Sequence, residues 1–313
     1  MEYYFAPMEG ITTAIYRRVH ADLFGGADRY YSPFISPTAE HLFTPRELRE
    51  LGPENNRGIP LVPQVLTKNA DDFLWAAAGL ADMGYGEVNL NLGCPSATVT
   101  AKGKGSALLR SADALEAFLD EIFARAEIPV SVKTRIGYWA PEEFPRLLEV
   151  FNRYPLAELI LHCRTRQEMY AAAPHYEALE LALRESRSPV CYNGSLFTPA
   201  DCAAFTARWP RQRRVMLGRG AAADPAIFRR VKGGAAASRE ELETFHRELY
   251  AAYRAEYGAL NGMRRMKELW NCLFDRFEGG EELRKKMMRT KDTGVFEECA
   301  ATALGRLPLK DRE

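Results

Sequence analysis

Val130-Ser131-Val132-Lys133 alternates apolar and polar side chains with the two-residue period of a strand. The valines face one way, and Ser131 and Lys133 face the other. Similar short runs recur along the chain at Tyr3-Tyr4-Phe5-Ala6, Arg29-Tyr30-Tyr31, Ile59-Pro60-Leu61-Val62-Pro63, Glu87-Val88-Asn89-Leu90, Leu159-Ile160-Leu161, Pro189-Val190-Cys191-Tyr192 and Val215-Met216-Leu217. Helix-like segments separate them. Thr198-Pro199-Ala200-Asp201 reads as an N-cap followed by proline and an acid in the first turn, and Asp224-Pro225 repeats the cap-plus-proline pattern. Eight strands alternating with helices predict an α/β fold, a (β/α)8 TIM barrel. A doubly wound open sheet is the rival that strand counting leaves standing. Beyond Gly233-Gly234-Ala235 the pattern turns helical, with Leu242, Phe245, Leu249, Ala252 and Tyr253 at three- and four-residue steps. The expected division is a barrel over residues 1–235 and a small all-helical domain over 236–313.

Applied at every strand end, the same alternation makes Gln64, Asn91, Lys133, His162 and Asn193 the last inward residues of five successive strands. All five are polar, where a barrel interior is normally packed with branched apolar side chains. A single such residue, His162 for instance, could simply bond a loop. Five converging on one mouth point to a ligand site. Asn193-Gly194-Ser195 and Gly218-Arg219-Gly220 follow the last two strands, where barrels bind phosphate on backbone N–H groups. A lone Gly-Arg-Gly is a tight turn more often than a site. At this position, with a guanidinium fork, it indicates a phosphorylated cofactor.

Composition narrows the classes. The chain has 313 residues, 47% hydrophobic and 27% charged, the proportions of a globular protein. No apolar run is long enough to span a membrane. The N-terminus shows no export signal. The six cysteines form no CxxC pair, which argues against a zinc ribbon or other structural metal and fits reduced thiols in a cytoplasm. Lys+Arg 42 against Asp+Glu 42 rules out a wholly basic nucleic-acid binder. Charge is nevertheless uneven. From Phe205 to Lys232 eight basic residues face Asp224 alone, and Gly262–Lys291 carries nine basic residues and five acids. Each segment reads either as a solvated helix face or as a patch for a polyanion.

Cys94 sits on a loop between Gly93 and Pro95, followed by Lys102-Gly103-Lys104-Gly105-Ser106. A free thiol titrates near 8.5 and is mainly protonated at neutral pH, so Cys94 is a candidate general acid. The other five cysteines read as buried small hydrophobes.

Ala6-Pro7-Met8-Glu9-Gly10, Asn89-Leu90-Asn91-Leu92-Gly93-Cys94-Pro95, Gly103-Lys104-Gly105-Ser106-Ala107-Leu108-Leu109, Ser131-Val132-Lys133-Thr134-Arg135, His162-Cys163-Arg164-Thr165-Arg166 and Gly218-Arg219-Gly220 occur in this order. The set resembles the tRNA-dihydrouridine synthases, over most of the first 230 residues. The resemblance implies an FMN-containing barrel with a helical tRNA-binding domain, reducing uridine in tRNA with NADPH. It implies that Pro7, Met8 and Gln64 line the flavin ring and that Lys133 meets its pyrimidine side. It places His162 at the ring or ribityl region, and Asn193, Gly194, Gly218 and Arg219 at the phosphate. Asn91 orients the uracil, Cys94 donates the proton, and Arg164, Arg166 and Tyr170 lie on the substrate side. The expected partner is tRNA, with no membrane and no structural metal, and the expected state is a monomer in the cytoplasm.

Two departures from the family pattern stand out. The family has glutamine and tyrosine at set offsets after His162-Cys163-Arg164-Thr165-Arg166, whereas Gln167-Glu168-Met169-Tyr170 is shifted by a residue. That bears on the contacts of Arg166 and Tyr170. Asp224-Pro225 replaces Asn-Pro, a change expected to touch only a helix cap. Three other readings remain at this stage. They are an FMN barrel reducing a free pyrimidine or enoate, an RNA-binding barrel without catalysis, and a lyase using Lys133 as a Schiff base.

Overall fold

A computed structural model defines the fold, and residues 1–310 are described. Nine short strands run parallel: β1 (Glu2–Phe5), β2 (Arg29–Tyr31), β3 (Leu61–Val62), β4 (Gln64–Val65), β5 (Val88–Leu92), β6 (Val130–Arg135), β7 (Leu159–His162), β8 (Val190–Asn193) and β9 (Arg214–Leu217). Their order is β3-β2-β1-β9-β8-β7-β6-β5-β4. The sheet therefore begins and ends on pieces of one stave, split only by Pro63. A proline has no N–H to give the ladder, so the stave kinks there. The Pro63 carbonyl still accepts from Asn89 N at 2.8 Å, while Val62 O on the other side accepts from Ser32 N at 3.2 Å. The ring so closed is the expected eight-stave TIM barrel, and an open sheet is excluded.

The strand parity holds all the way round. Tyr3, Phe5, Tyr30, Leu61, Val88, Leu90, Val130, Val132, Leu159, Leu161, Val215 and Leu217 belong to the large core between strands and helices. Tyr4, Ala6, Tyr31, Val62, Ile160, Cys191 and Met216 form a separate small cluster, the plug inside the barrel. This plug is all apolar or aromatic. Polar residues flank it at both ends: Glu2, Arg29, Glu87, Glu158 and Arg214 pair at the N-terminal ends of the staves, and the amides, Lys133 and His162 lie at the C-terminal ends.

The C-terminal region is helical as expected. Ser238 caps the helix Arg239–Leu273 through a reciprocal capping box with Glu241. Gly258, at φ 77° and ψ 167°, reverses the chain inside that span. Only glycine adopts such a backbone cheaply. A hairpin results. Trp270 Nε1 donates to His246 Nδ1 at 3.1 Å across it. A Cβ on Gly262 would lie 3.0 Å from Arg254 N, so the two arms touch backbone to backbone.

The helical region shares the large core with the barrel. Phe245 meets Tyr16 and Phe24 at ring centroid distances of 5.6 and 5.2 Å, and Phe5 continues the stack inward. Thr13 Oγ1 and Tyr253 OH lie 2.9 Å apart. The glycines before the hairpin are pinned as well, because Arg229 donates to Ala235 O and Ala236 O while pairing with Glu241.

His20 sits at the centre of this aromatic cluster. Its Nε2–H donates to Pro225 O at 2.8 Å, and its Nδ1 accepts from Tyr30 OH at 2.9 Å. Burial lowers its pKa from 6.5 to about 4. The folded chain therefore holds His20 neutral. The stability this contributes is complete above pH 6.5 and is lost as pH falls toward about 4, since the unfolded chain takes up the proton first. A loss of about 3 kcal/mol is expected over that interval. Chemical unfolding at a series of pH values checks it. His20→Gln should flatten the acid limb, and parallel profiles for the two proteins would refute the assignment.

Candidate active site

A cavity of about 400 Å³ opens at the C-terminal end of the barrel. Its wall includes Pro7, Met8, Gln64, Asn91, Cys94, Lys133, His162, Tyr170, Asn193, Gly194, Gly218 and Arg219. Cys94 and Lys133 thus share one space. Arg164 and Arg166 are outside the wall. Arg164 is buried and ties loops together, donating to Ala172 O at 2.5 Å and Ser195 Oγ at 2.7 Å. Arg166 leans over the Tyr138 ring at 5.4 Å.

A chain of amides organises one side. Gln64 Nε2 donates to Asn89 Oδ1 at 2.7 Å, and Asn89 Nδ2 donates to Ser131 Oγ at 2.9 Å. Asn91 Nδ2 donates to Gln64 Oε1 at 2.8 Å. Asn91 Oδ1 then accepts from the backbone N–H groups of Gly93 and Cys94, at 3.1 and 2.9 Å. Asn91 therefore fixes the loop that carries Cys94. Ser106 holds the same loop from beyond, its Oγ–H donating to Cys94 O at 2.8 Å. Gly105, at φ 61°, lets the chain pass so close that a Cβ there would lie 2.9 Å from that carbonyl. Burial pushes the Cys94 thiol above its ordinary pKa, outweighing the Ser96 N–H, Lys133 and Arg135. The thiol keeps its proton at neutral pH.

The opposite side is cationic. Arg135, Lys133, Arg164 and Arg219 all act on His162, whose pKa burial drives well below 6.5 and these cations lower further. His162 is therefore neutral. Its Nε2 faces Arg164 Nη1 at 3.5 Å, which leaves the proton on Nδ1, a buried donor with no partner. Burial, reinforced by Arg135, lowers Lys133 to about 8. Among the described residues no carboxylate pairs with any of the four cations. Like charges gathered without counter-charge are costly unless an anion completes them.

The glycine loops form a close-packed cradle beside these cations. A Cβ on Gly194 would lie 2.0 Å from Tyr192 OH, and one on Gly220 would lie 2.3 Å from Leu196 O. Gly218 faces Ala6 and Met8, because β1 pairs with β9 and brings the two strand ends together.

The sequence reading passed over several contributors to the wall: the apolar Ile11, Pro33 and Phe34, and the polar or reactive Arg135, Glu268, Asn271 and Cys272. Arg135 had a signal, since it lies on the inward face two residues beyond Lys133. Its guanidinium binds Gly93 O, Thr165 O and Met169 O, at 2.9, 2.8 and 2.8 Å. It thereby joins the Cys94 loop to the Tyr170 loop. Glu268, Asn271 and Cys272 form one stripe of the C-terminal hairpin and close the mouth from that side. Cys272 was expected to be a buried core thiol, but it is half-buried on this wall.

Two expectations about charge change. The segment Phe205–Lys232 is largely neutralised, with Arg208, Arg214, Arg229, Arg230 and Lys232 paired to Glu180, Glu158, Glu241, Asp224 and Asp28. Of the two readings, this pairing favours a solvated face over a patch for a polyanion along most of the segment. Asp224 also does more than cap a helix. It is fully buried and pairs with Arg230 and with Arg276 of the C-terminal region. An asparagine could not supply that charge.

The dihydrouridine synthase family model matches residues 4–306. The chain belongs to the dihydrouridine synthase family. A probable tRNA-dihydrouridine synthase of Staphylococcus epidermidis is 26% identical over 315 residues, covering 97% of this chain and 94% of its own. Probable tRNA-dihydrouridine synthase 2 of Bacillus subtilis is 27% identical over 302 residues, covering 92% and 89%. Among solved structures, morphinone reductase superposes with a TM-score of 0.54 at 13% identity over 78% of this chain and 88% of that one. That likeness speaks for the barrel fold alone. No described helix is long and apolar enough to cross a membrane.

Proposed function

We propose that the protein is an FMN-dependent tRNA-dihydrouridine synthase, reducing a uridine of tRNA to 5,6-dihydrouridine with NADPH as electron source. One observation carries this reading. A proton-bearing thiol, Cys94, shares a cavity with a cation group that no described carboxylate pairs with directly, and with a cradle of glycines. The residues fit FMN. The backbone of Gly194 and Gly218, with Asn193 and the Arg219 fork, suits its phosphate. Pro7, Met8 and Gln64 would line the ring. Lys133 would meet the pyrimidine side, where reduction builds negative charge, and the unpartnered Nδ1–H of His162 would offer a donor to the ring or ribityl chain. When bound, FMN supplies the hydride for C6 of the uracil, with NADPH as its source.

The chain's own residues do the rest. Cys94 Sγ holds the proton destined for C5. Asn91 and Ser106 fix the loop, so the thiol needs no rearrangement at the moment of transfer. Hydride addition to the uracil leaves charge that a proton must meet, and a positioned acid is worth about 10²- to 10⁴-fold. Tyr170 and Arg166 approach from the substrate side, with Arg164 holding the neighbouring loops. The target uridine must leave its stack to reach this depth, at a few kcal/mol. The hairpin residues Glu268, Asn271 and Cys272 form the wall of the cavity on that side.

The reading is tested on tRNA from cells with and without the gene. Mass spectrometry should show dihydrouridine missing from at least one position in the deletion strain, and wild-type protein with NADPH should restore it there. The purified protein should be yellow and bleach with NADPH. A colourless protein, together with unchanged tRNA, would overturn the proposal.

A further inference from the structure

One aromatic feature beside the mouth is not used by the site. Gly137-Tyr138-Trp139-Ala140 follows β6 and wraps one carboxylate: the backbone N–H groups of Tyr138, Trp139 and Ala140 donate to Glu143 at 2.7, 3.0 and 3.1 Å. Gly137 is required inside this turn, because a Cβ there would lie 2.6 Å from Ala140 O. The turn is therefore rigid, and it presents Trp139 at 55% exposure. Tyr138 is buried beneath, edge-on to the indole with centroids 4.3 Å apart. Two guanidiniums flank the pair. Arg110 bonds Tyr138 OH at 2.5 Å and lies 4.3 Å from the Tyr138 centroid and 6.0 Å from the indole centroid. Arg166 lies 5.4 Å over Tyr138 with its Nε buried and unpartnered. Among the described residues neither arginine pairs with a carboxylate.

The turn is also joined to the site. Gly137 O and Tyr138 O accept from the N–H groups of Arg166 and Gln167, at 3.0 and 3.1 Å. These residues begin the loop that puts Tyr170 on the cavity wall. Arg110 ends the segment that packs behind Cys94. The platform is thus tied to both loops that frame the entrance.

We infer that Trp139, with Arg110 and Arg166, is a stacking platform for an unpaired base of the RNA substrate next to the target uridine. The inference rests on the function proposed above and deepens it. A preorganised indole face suits any base, and the paired guanidiniums without counter-charge suit the phosphates on either side. Stacking a neighbour also stabilises the strand once the target base has left it.

The test uses full-length, flavin-loaded protein and unmodified tRNA transcript. Wild-type fluorescence should fall on tRNA addition, and most of that quench should be absent in Trp139→Phe, which keeps a ring and the fold. Trp139→Ala should weaken tRNA binding by roughly five- to hundredfold, with Trp139→Phe between it and wild type. Equal affinity of Trp139→Ala and wild type would overturn the platform while leaving the enzyme reading intact. Wild-type binding without an indole-dependent quench would do the same and would leave the aromatic edge to a protein partner. Failure of wild-type protein to bind or reduce any tRNA would overturn the functional reading itself.

Discussion

Cys94→Ala is expected to retain flavin and its bleaching by NADPH, yet to lose about 10²- to 10⁴-fold in uridine reduction. The loop around Cys94 is held by backbone groups, through Asn91 Oδ1 and Ser106, so it keeps its place without the side chain. Removing a half-buried thiol leaves no stranded charge. The loss should therefore fall on the half-reaction that needs a proton. Rapid-mixing measurements separate the halves: flavin bleaching by NADPH in one, and reoxidation by tRNA under anaerobic conditions in the other. Cys94→Ser places a hydroxyl, a much weaker acid, at the same point and should recover little. Because burial raises the thiol, its activity should persist through neutral pH and decline only as alkaline pH removes the proton. Reoxidation by tRNA at the wild-type rate in Cys94→Ala would assign the acid elsewhere.

Much of this arrangement was legible from strand parity. In a closed barrel each residue has two possible faces, so the alternation at Val130-Ser131-Val132-Lys133 fixes what points inward once the staves are recognised. Gln64, Asn91, Lys133, His162 and Asn193 all reached the cavity on that argument. Arg135 obeyed the same parity and was passed over because the strand was taken to end earlier. What remained hidden depended on how distant elements dock. Glu268, Asn271 and Cys272 read as one face of a helix, and nothing local says that this face meets a barrel mouth. The ion pairs of Arg214 with Glu158 and of Arg276 with Asp224 join residues far apart in sequence. Their charge therefore looked exposed in a linear count. Asn91 illustrates a finer limit: its position was readable, but its use of both amide ends to hold the Cys94 loop was not.

Arg219→Ala is expected to weaken FMN retention by roughly 10- to 100-fold, the loss of one charge-assisted bidentate contact of about 1.5–3 kcal/mol. The residue is well suited to such a measurement. Among the described residues its guanidinium lies over the faces of Tyr170 and Phe197, at 4.8 and 5.2 Å, with no ion pair, and it is exposed. Deleting it strands no buried carboxylate, so folding stability should change by less than about 0.5 kcal/mol. The remaining cations, Lys133, Arg135 and Arg164, are engaged deeper, two of them by backbone carbonyls. They cannot swing out to replace it. Riboflavin supplies the control, because it has the same ring and ribityl chain without the phosphate. Equilibrium titration should show FMN affinity falling in Arg219→Ala while riboflavin affinity stays level. Arg219→Lys, with the charge but not the fork, should fall between. Equal losses for both ligands would mean that Arg219 acts on the ring through Tyr170. Unchanged FMN affinity would remove the phosphate from this end of the barrel, and with it the reason for the glycine cradle at Gly194 and Gly218.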